Sequence, residues 1–455
     1  MTFADSAPVG FVPKLLRHWQ ALFLLAWPVV LSRAGILIMT LVGVMMVGQH
    51  DTFELAKLSL GSAVFFPLLV TGVGCMVGVI SSASREMGSR DPDLPAIALR
   101  GLRWSVVVGG VATLLVFGSE TLLFAIGHEP ALASGAGSVA RMLAPGALFQ
   151  IVFVAGSFYL EGTARTKPGL VVMIAANVVN FLLCRLLIGG GFGLPAMGAE
   201  GAALAGTIAR FLMAAGLLVW LLRLPEFDPW RGRFFGFWGP GGRIAGAEMR
   251  RIGFAGGAAY FFETVAFASL SQAAGLLGTG ALTAYSILHN VESTVFMVAL
   301  GLSVATSVQV GRAAGRGDAA EAIFSGLAGL AATVVVIGAI GLGLLAIAPS
   351  VVGFYSSDPA LITRAAPLIA ILAVTMVFDA GQVVLGQANR AMGDSWGTTL
   401  AFFLAFFCVM IPVSLILAFR TPLAEAGLFF GTGIGCATAV VLLGYRFRLL
   451  VSRLG

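Results

Sequence analysis

The chain has 455 residues, 58 % of them hydrophobic and only 11 % charged, with a net charge of +6 at neutral pH. Soluble domains carry roughly 25 % charged residues, and a mean hydropathy of +0.98 leaves too little polar surface to cover a soluble globule of this size. The basic excess forms no nucleic-acid patch, because the arginines sit between apolar runs, and Cys75, Cys184, Cys408 and Cys436 all lie inside such runs, as packing residues rather than disulfide or zinc partners.

Apolar runs of about 20 residues, the span a helix needs to cross hydrocarbon, recur along the whole chain. The alternation of a membrane barrel is absent. Lys14, Arg17 and His18 precede a first run too long for a signal segment, so it is expected to be retained. Helices are predicted near 20–46, 55–81, 96–119, 134–159, 168–190 and 198–223. A polar stretch from Pro225 to Met249, containing Pro240-Gly241-Gly242, separates them from a second set near 250–275, 280–309, 321–347, 360–388, 397–419 and 424–446. The sequence thus predicts an all-α polytopic membrane protein of about twelve helices, with a lobe over 1–224, a linker over 225–249 and a lobe over 250–455. Gly is abundant at 60 residues, as expected where helices pack closely in a bilayer.

Loop charge sets the expected orientation. One set of loops holds Arg85, Arg90, Arg100, Arg103, Arg165, Lys167, Arg223, Arg231, Arg233, Arg243, Arg250, Arg251, Arg312, Arg316 and Arg390, and the tail adds Arg446, Arg448 and Arg453. The other set holds Asp51, Glu54, Glu120, Glu129, Asp358 and Glu425. By the positive-inside rule both termini are cytoplasmic. The heavy preference for Arg over Lys suggests a GC-rich bacterial source, and hence the bacterial inner membrane.

The halves repeat. Arg85, Gly88 and Asp91 recur at one offset as Arg312, Gly315 and Asp318, and Glu129-Pro130-Ala131-Leu132 echoes Asp358-Pro359-Ala360-Leu361. Six helices per half is an even number, so the copies share one orientation and the pseudo-twofold axis runs along the membrane normal. Two lobes that rock about a shared cavity suit alternating access.

Ionisable groups within the spans cost roughly 2.5–3.5 kcal/mol or more at mid-depth, so they mark cavities or partners. Asp379 lies about 11 residues, or roughly 16 Å, from Arg390, near the midplane. Glu263 lies at similar depth on another helix, and Gln382 and Thr375 share a face with Asp379. Two carboxylates at one depth can share a proton or bind a hard cation such as Na⁺. The alternative is an ion pair with an arginine of a neighbouring helix. Glu292 is read either as cavity lining or as a packing or ion-pair residue, with Tyr285 further out and His289 one turn away, a core histidine or a proton-sensitive group. Arg33 and Arg210 lie mid-helix in the first half. Gly88 and Gly315 stand in no phosphate-loop context, which argues against an ATP-driven pump.

Several segments resemble the multidrug and toxic compound extrusion (MATE) family, in its NorM-like bacterial branch. They are Phe378-Asp379-Ala380-Gly381-Gln382-Val383-Val384 with Arg390-Ala391-Met392-Gly393-Asp394, Gly253 through Glu263, Glu161 through Pro168, Gly193-Leu194-Pro195 through Gly201, and Pro28 with Met46-Val47-Gly48. The resemblance implies a secondary antiporter exporting cationic or amphipathic organic compounds in exchange for Na⁺ or H⁺, without another cofactor. It also implies Glu263 and Asp379 as the cation-coupling pair, which would be the Na⁺ ligands if Na⁺ is the ion. The expected partners are small organic substrates and the lipid bilayer, with no nucleic acid, and a monomer is expected.

The first half departs from that pattern. Gly43 occupies the family's acidic position on helix 1, and on helix 5 Asn180 fits one family Asn, whereas Cys184, beside Arg185, stands at the next. A first-lobe cation site is therefore expected to be absent. Arg33 or Arg210 either replaces the cation's charge or partners Glu263 or Glu292 across the cleft. Arg33, Arg185 and Arg210 also keep open a lipid-linked oligosaccharide flippase of the wider superfamily. An intramembrane enzyme is disfavoured, since His289 has no nucleophile set by a recognisable motif.

Overall fold

The computed structural model describes residues 11–90, 92–127, 129–190, 195–230 and 246–453. Asp91, Gly193, Leu194, Arg231, Arg233, Arg243 and most of the stretch between Pro225 and Met249 lie outside the described residues. The first bundle comprises α1 (Phe11–Gly48), α2 (Thr52–Cys75), α3 (Val77–Glu86), α4 (Leu94–Phe117), a short α5 (Ser119–Ile126), α6 (Pro130–Gly162), α7 (Lys167–Gly189) and α8 (Gly198–Leu222), and a 3₁₀ turn covers Pro225–Trp230. The second comprises α9 (Ala247–Leu276), α10 (Thr279–Gly315), α11 (Ala319–Ala346), the short α12 (Ala348–Tyr355) and α13 (Pro359–Ala365), α14 (Leu368–Ala391), α15 (Trp396–Phe403), α16 (Ile411–Arg420) and α17 (Glu425–Val451). Among the described residues eleven helical stretches are long and apolar enough to cross a membrane. The twelfth expected run, α9, has 30 residues, roughly 45 Å at 1.5 Å per residue. It is less apolar because it carries Glu263 and several glycines.

The structure refines the expected boundaries for local reasons. The first helix starts at Phe11 and runs past the apolar stretch, held by Lys14 against Glu321 at 3.1 Å and by the Trp19 indole N–H donating to the Ala328 carbonyl at 3.0 Å. The second run breaks at Met76, between α2 and α3. The predicted helix from 360 to 388 divides at Pro367, which caps α14. Between α15 and α16 the helix widens to a π-helical stretch, Leu404–Met410. Pro412 follows immediately, and a ring without an N–H clashes with the carbonyl four residues back, so the ladder must loosen there.

Packing repeats between the halves. In the first bundle α6 packs against α2, α4 and α8, and α7 against α8. In the second, α14 packs in the same way against α10, α11 and α17, and α16 against α17. Between the bundles α1 lies on α10 while α2 and α3 lie on α9, a pairing that a twofold axis exchanges. Glycines permit this contact. A Cβ at Gly74 would meet the Gly256 carbonyl oxygen at 2.8 Å and the Gly257 Cα at 2.9 Å. Gly88 and Gly315, the paired residues of the repeated motif, face one another. A Cβ on either would come within 3.1 Å of the other's Cα and overlap the carbonyl oxygen of Arg312 or Arg85. The repeat therefore meets itself on the axis, at the arginine-rich end of the molecule.

That end carries further cross-bundle bonds: Arg85 to Glu248 at 2.8 Å, and the Ser81 hydroxyl donating to the Arg390 carbonyl oxygen. Beside it Asp394, between α14 and α15, accepts from Arg446 at 2.8 and 3.1 Å and from Thr398 at 2.8 Å. Burial pushes the Asp394 carboxyl up, but the hydrogen bonds from Arg446 and Thr398 and the Arg446 charge outweigh it and hold the carboxyl below its ordinary value.

Two outcomes are expected. Gly88→Val forces the two ends apart, so spin labels at Arg90 and Arg316 should report a longer separation than in the unsubstituted chain; an unchanged distance refutes the close-contact role. Asp394→Asn should cost about 1–3 kcal/mol, read as a lower melting temperature in detergent. A depressed folded value stabilises above the ordinary carboxylate pKa of about 4 and loses that contribution as pH falls through the folded value. The melting gap between variant and parent should therefore close in acid.

Candidate functional site

The second bundle gathers carboxylates in its interior. Asp379, on α14, is 4 % exposed. Its Oδ1 accepts from Gln382 Nε2 at 3.0 Å and faces Cys436 Sγ on α17 at 3.8 Å. Both Glu292 of α10 and Glu263 of α9 interact electrostatically with it. Glu292 is buried, and with Asp379 it flanks a crevice lined by Val295, Phe296, Ile337 and Met376 that is too narrow to admit water. Glu263 is half-buried, and Gln382 stands between it and Asp379. Three carboxylates thus share one weakly solvated interior. In their ionised forms they repel, so they require a compensating positive charge.

Glu292 has one candidate for that charge. His289 Nδ1 approaches Glu292 Oε2 at 3.5 Å, and the imidazole stacks on Tyr285, with centroids 5.9 Å apart, and on Phe267 at 5.6 Å. Tyr285 in turn stacks on Phe429 at 5.3 Å, and the Thr375 hydroxyl, one turn before Asp379, donates to the Phe429 carbonyl at 3.4 Å. Glu263 faces Arg390 without forming an ion pair. Arg390, read from the sequence as a loop arginine, is instead only 2 % exposed. Its guanidinium lies over Phe402 of α15 at 5.4 Å and Tyr260 of α9 at 6.0 Å, rings that reach the last turn of α14. Tyr260 also accepts from Gln387 Nε2 at 3.3 Å.

The first bundle is arranged differently. Arg33 of α1 partners neither Glu263 nor Glu292 but Glu161 of α6, reaching both carboxylate oxygens at 3.0 and 3.1 Å. Ser157 donates to the same carboxylate at 2.8 Å, and Phe158 stacks beneath the guanidinium at 5.0 Å. Asn180 Nδ2 donates to the Met39 carbonyl at 3.3 Å, with Cys184 one turn on. Arg210 is buried over Phe65. Arg185 is exposed on α7, whereas Arg33 and Arg210 are buried. Around Gly43 there is room: a Cβ would meet only that of Ala202, at 3.9 Å. Among the described residues no three His, Cys, Asp or Glu side chains converge to cage a metal ion.

Sequence reasoning brought forward Glu263, Asp379 and Glu292, and the structure places all three in one interior. It missed Glu161 as Arg33's partner, and Tyr260, Arg390 and Cys436 as neighbours of the acids. Tyr260 lies three residues before Glu263, hence on the same helical face. Cys436 gave no signal, since a cysteine in an apolar run reads as packing.

This architecture, with two symmetry-related bundles, buried carboxylates in one and a buried ion pair in the other, is that of an all-α polytopic membrane protein. The MatE family model matches the chain twice, over residues 28–186 and 257–418, more than half its length. A probable multidrug resistance protein NorM of Caulobacter vibrioides is 34 % identical over 98 % of this chain and 96 % of its own length, and a multidrug resistance protein NorM of Burkholderia vietnamiensis is 31 % identical over 97 % and 96 %. A crystal structure of MATE in the bent conformation superposes with a TM-score of 0.85 at 19 % identity, covering 97 % of each chain. An outward-facing multidrug resistance MATE family transporter of the MOP superfamily superposes with 0.83 at 19 %, covering 99 % of each. The chain belongs to the MatE family.

The Arg33–Glu161 pair carries a prediction of its own. Removing one member of a buried pair strands the other's charge and costs about 3–5 kcal/mol, whereas removing both costs much less. Arg33→Met should lower the melting temperature more than the double variant Arg33→Met/Glu161→Leu. Equal losses would show that the two side chains are not coupled.

Proposed function

We propose that this chain is a secondary active exporter of organic, mainly cationic or amphipathic compounds, exchanged for Na⁺ or H⁺ by alternating access. The observation that carries the reading is the burial of Asp379 and Glu292 in one low-dielectric interior, with the half-buried Glu263 beside them and too little positive charge to match. Such a cluster exists stably with a proton or cation bound, or with a cationic substrate in its place, and that mutual exclusion is the basis of exchange. The names carried by the NorM relatives support the same conclusion.

In this reading the lobes over 1–224 and 250–455 rock about the twofold, and the segment 225–249 is the linker between them. The arginine-rich end is cytoplasmic, both termini with it, and the chain sits as a monomer in a bacterial inner membrane. Contact between Gly88 and Gly315 seals the cytoplasmic entrance. Cation binding at Asp379 and Glu263 on the outer side lowers affinity for the organic substrate and favours return to the inward-facing state. Coupling requires that each state differ in affinity for both species. A Na⁺ held there would draw on carboxylate oxygens and on Gln382 and water, since the acids alone form no cage. Gln382 orients the Asp379 carboxylate, and Tyr285, Phe429 and His289 offer stacked aromatic surface for a flat cation. The activity is transport, with no bond made or broken. A lipid-linked oligosaccharide flippase has less support, since Arg33 is neutralised by Glu161 and Arg185 is exposed while Arg210 is buried.

The test is efflux of a fluorescent organic cation from proteoliposomes under separately imposed Na⁺ and pH gradients. Efflux should follow one of them. Asp379→Asn should reduce gradient-driven efflux to background while eluting as a folded monomer. Undiminished efflux by that variant would refute the role of Asp379, and no response to either gradient would refute exchange.

A further inference from the structure

The first bundle contains a set of buried groups that the exchange reading does not use. Arg210 lies halfway along α8 and is 4 % exposed. Its guanidinium lies over the Phe65 ring at 5.3 Å, and its Nε and Nη1 have no hydrogen-bond partner. No carboxylate pairs with it among the described residues, in contrast to Arg33. Glycines clear the space it occupies: a Cβ at Gly206 would meet Nη1 at 2.8 Å, and one at Gly146 of α6 would meet Cδ at 3.3 Å. One turn beyond Gly146, on the same face of α6, stands Gln150. It is 2 % exposed, and its Nε2 also lacks a partner.

Every unsatisfied atom in this set is a donor. A buried cation with open N–H groups costs several kcal/mol unless an acceptor arrives, so a group this placed is poised for an anion. The guanidinium fork fits a carboxylate with two parallel hydrogen bonds, and the carboxamide N–H supplies a third.

The internal repeat gives this placement a second meaning. Gln150 follows Pro130 by the same interval as Asp379 follows Pro359, and Phe65 precedes Gly88 by the same interval as Glu292 precedes Gly315. Where the second bundle puts two carboxylates, the first puts an amide and an aromatic ring with Arg210 against it. The two interiors are equivalent in position and opposite in charge.

We infer that Arg210 and Gln150 form an anion subsite in the first bundle that takes the carboxylate of zwitterionic organic substrates. The inference rests on the export reading for the nature of the substrate. It extends that reading from cations to molecules carrying both charges, with the amine directed to the acids of the second bundle.

Equilibrium binding tests it without a gradient. Fluorescence anisotropy with purified protein compares rhodamine B, which has a free carboxylate, with its ethyl ester, which has none. The parent chain should bind rhodamine B about tenfold more tightly than the ester, the scale of one hydrogen-bonded charge contact. Arg210→Gln should bring that ratio to about one by weakening the binding of rhodamine B, and Gln150→Leu should reduce it in part. Arg210→Lys, which keeps the charge but loses the fork, should retain a fraction of the preference. Equal binding of the two dyes by the parent chain, or a ratio unaltered by both Arg210→Gln and Gln150→Leu, overturns the subsite. A ratio near one together with chloride raising the melting temperature of the parent but not of Arg210→Gln assigns the site to a free inorganic anion, which also overturns it. Loss of gradient-driven efflux with the dye preference intact would remove the exchange mechanism and leave this subsite standing.

Discussion

The structure depends on the cost of placing charge where water is scarce. An ionised side chain in the hydrocarbon core forfeits several kcal/mol of hydration, so each one must be paired, screened by an aromatic face, or left with a partner still to bind. This chain shows all three arrangements. Arg33 and Glu161 neutralise one another within the first bundle. Arg390 lies between Tyr260 and Phe402. Asp379, Glu292 and Glu263 are gathered without an equal number of cations, which makes their interior a site that calls for positive charge.

Symmetry turns that local requirement into a device. The two bundles repeat the same packing around α6 and α14, so equivalent depths and faces exist in both. They hold opposite chemistry: acids in the second, and an amide, an aromatic ring and an arginine in the first. In the proposed exchange, lobes so polarised would offer cations, anions and zwitterions different affinities on their two walls. The rocking proposed above would change which wall is solvated, and a change in solvation is a change in affinity.

The same symmetry explains where the halves touch. Gly88 and Gly315 meet on the axis because each half ends its second membrane run with the same Arg-x-x-Gly pattern, and only residues without a Cβ allow backbones so close. Close small-residue contact holds lobes through van der Waals packing instead of hydrophobic burial, which has little force in lipid. Such a contact can part without exposing a large apolar surface, as the proposed cytoplasmic entrance requires.

Much of this was determined by the sequence alone, because a bilayer imposes strict rules. Apolar length located the spans, loop arginines separated the two ends, and the recurrence of Arg85 and Gly88 as Arg312 and Gly315 disclosed the repeat. A carboxylate such as Asp379 stood out in an apolar run because its burial is so costly. The sequence carried no comparable signal for pairing between distant helices. Glu161 sits close to the basic Arg165-Thr166-Lys167 turn and read as part of a loop motif, yet the packing of α1 against its own bundle delivers Arg33 to it. Arg390 read as a loop charge until the last turn of α14 was seen buried against two aromatic rings. Arg210 and Gln150 lie 60 positions apart in the chain, and only the packing of α8 on α6 brings their unpartnered donors into the same bundle interior. Cost per residue is a property of sequence and solvent, whereas the partner that offsets it is chosen by tertiary packing.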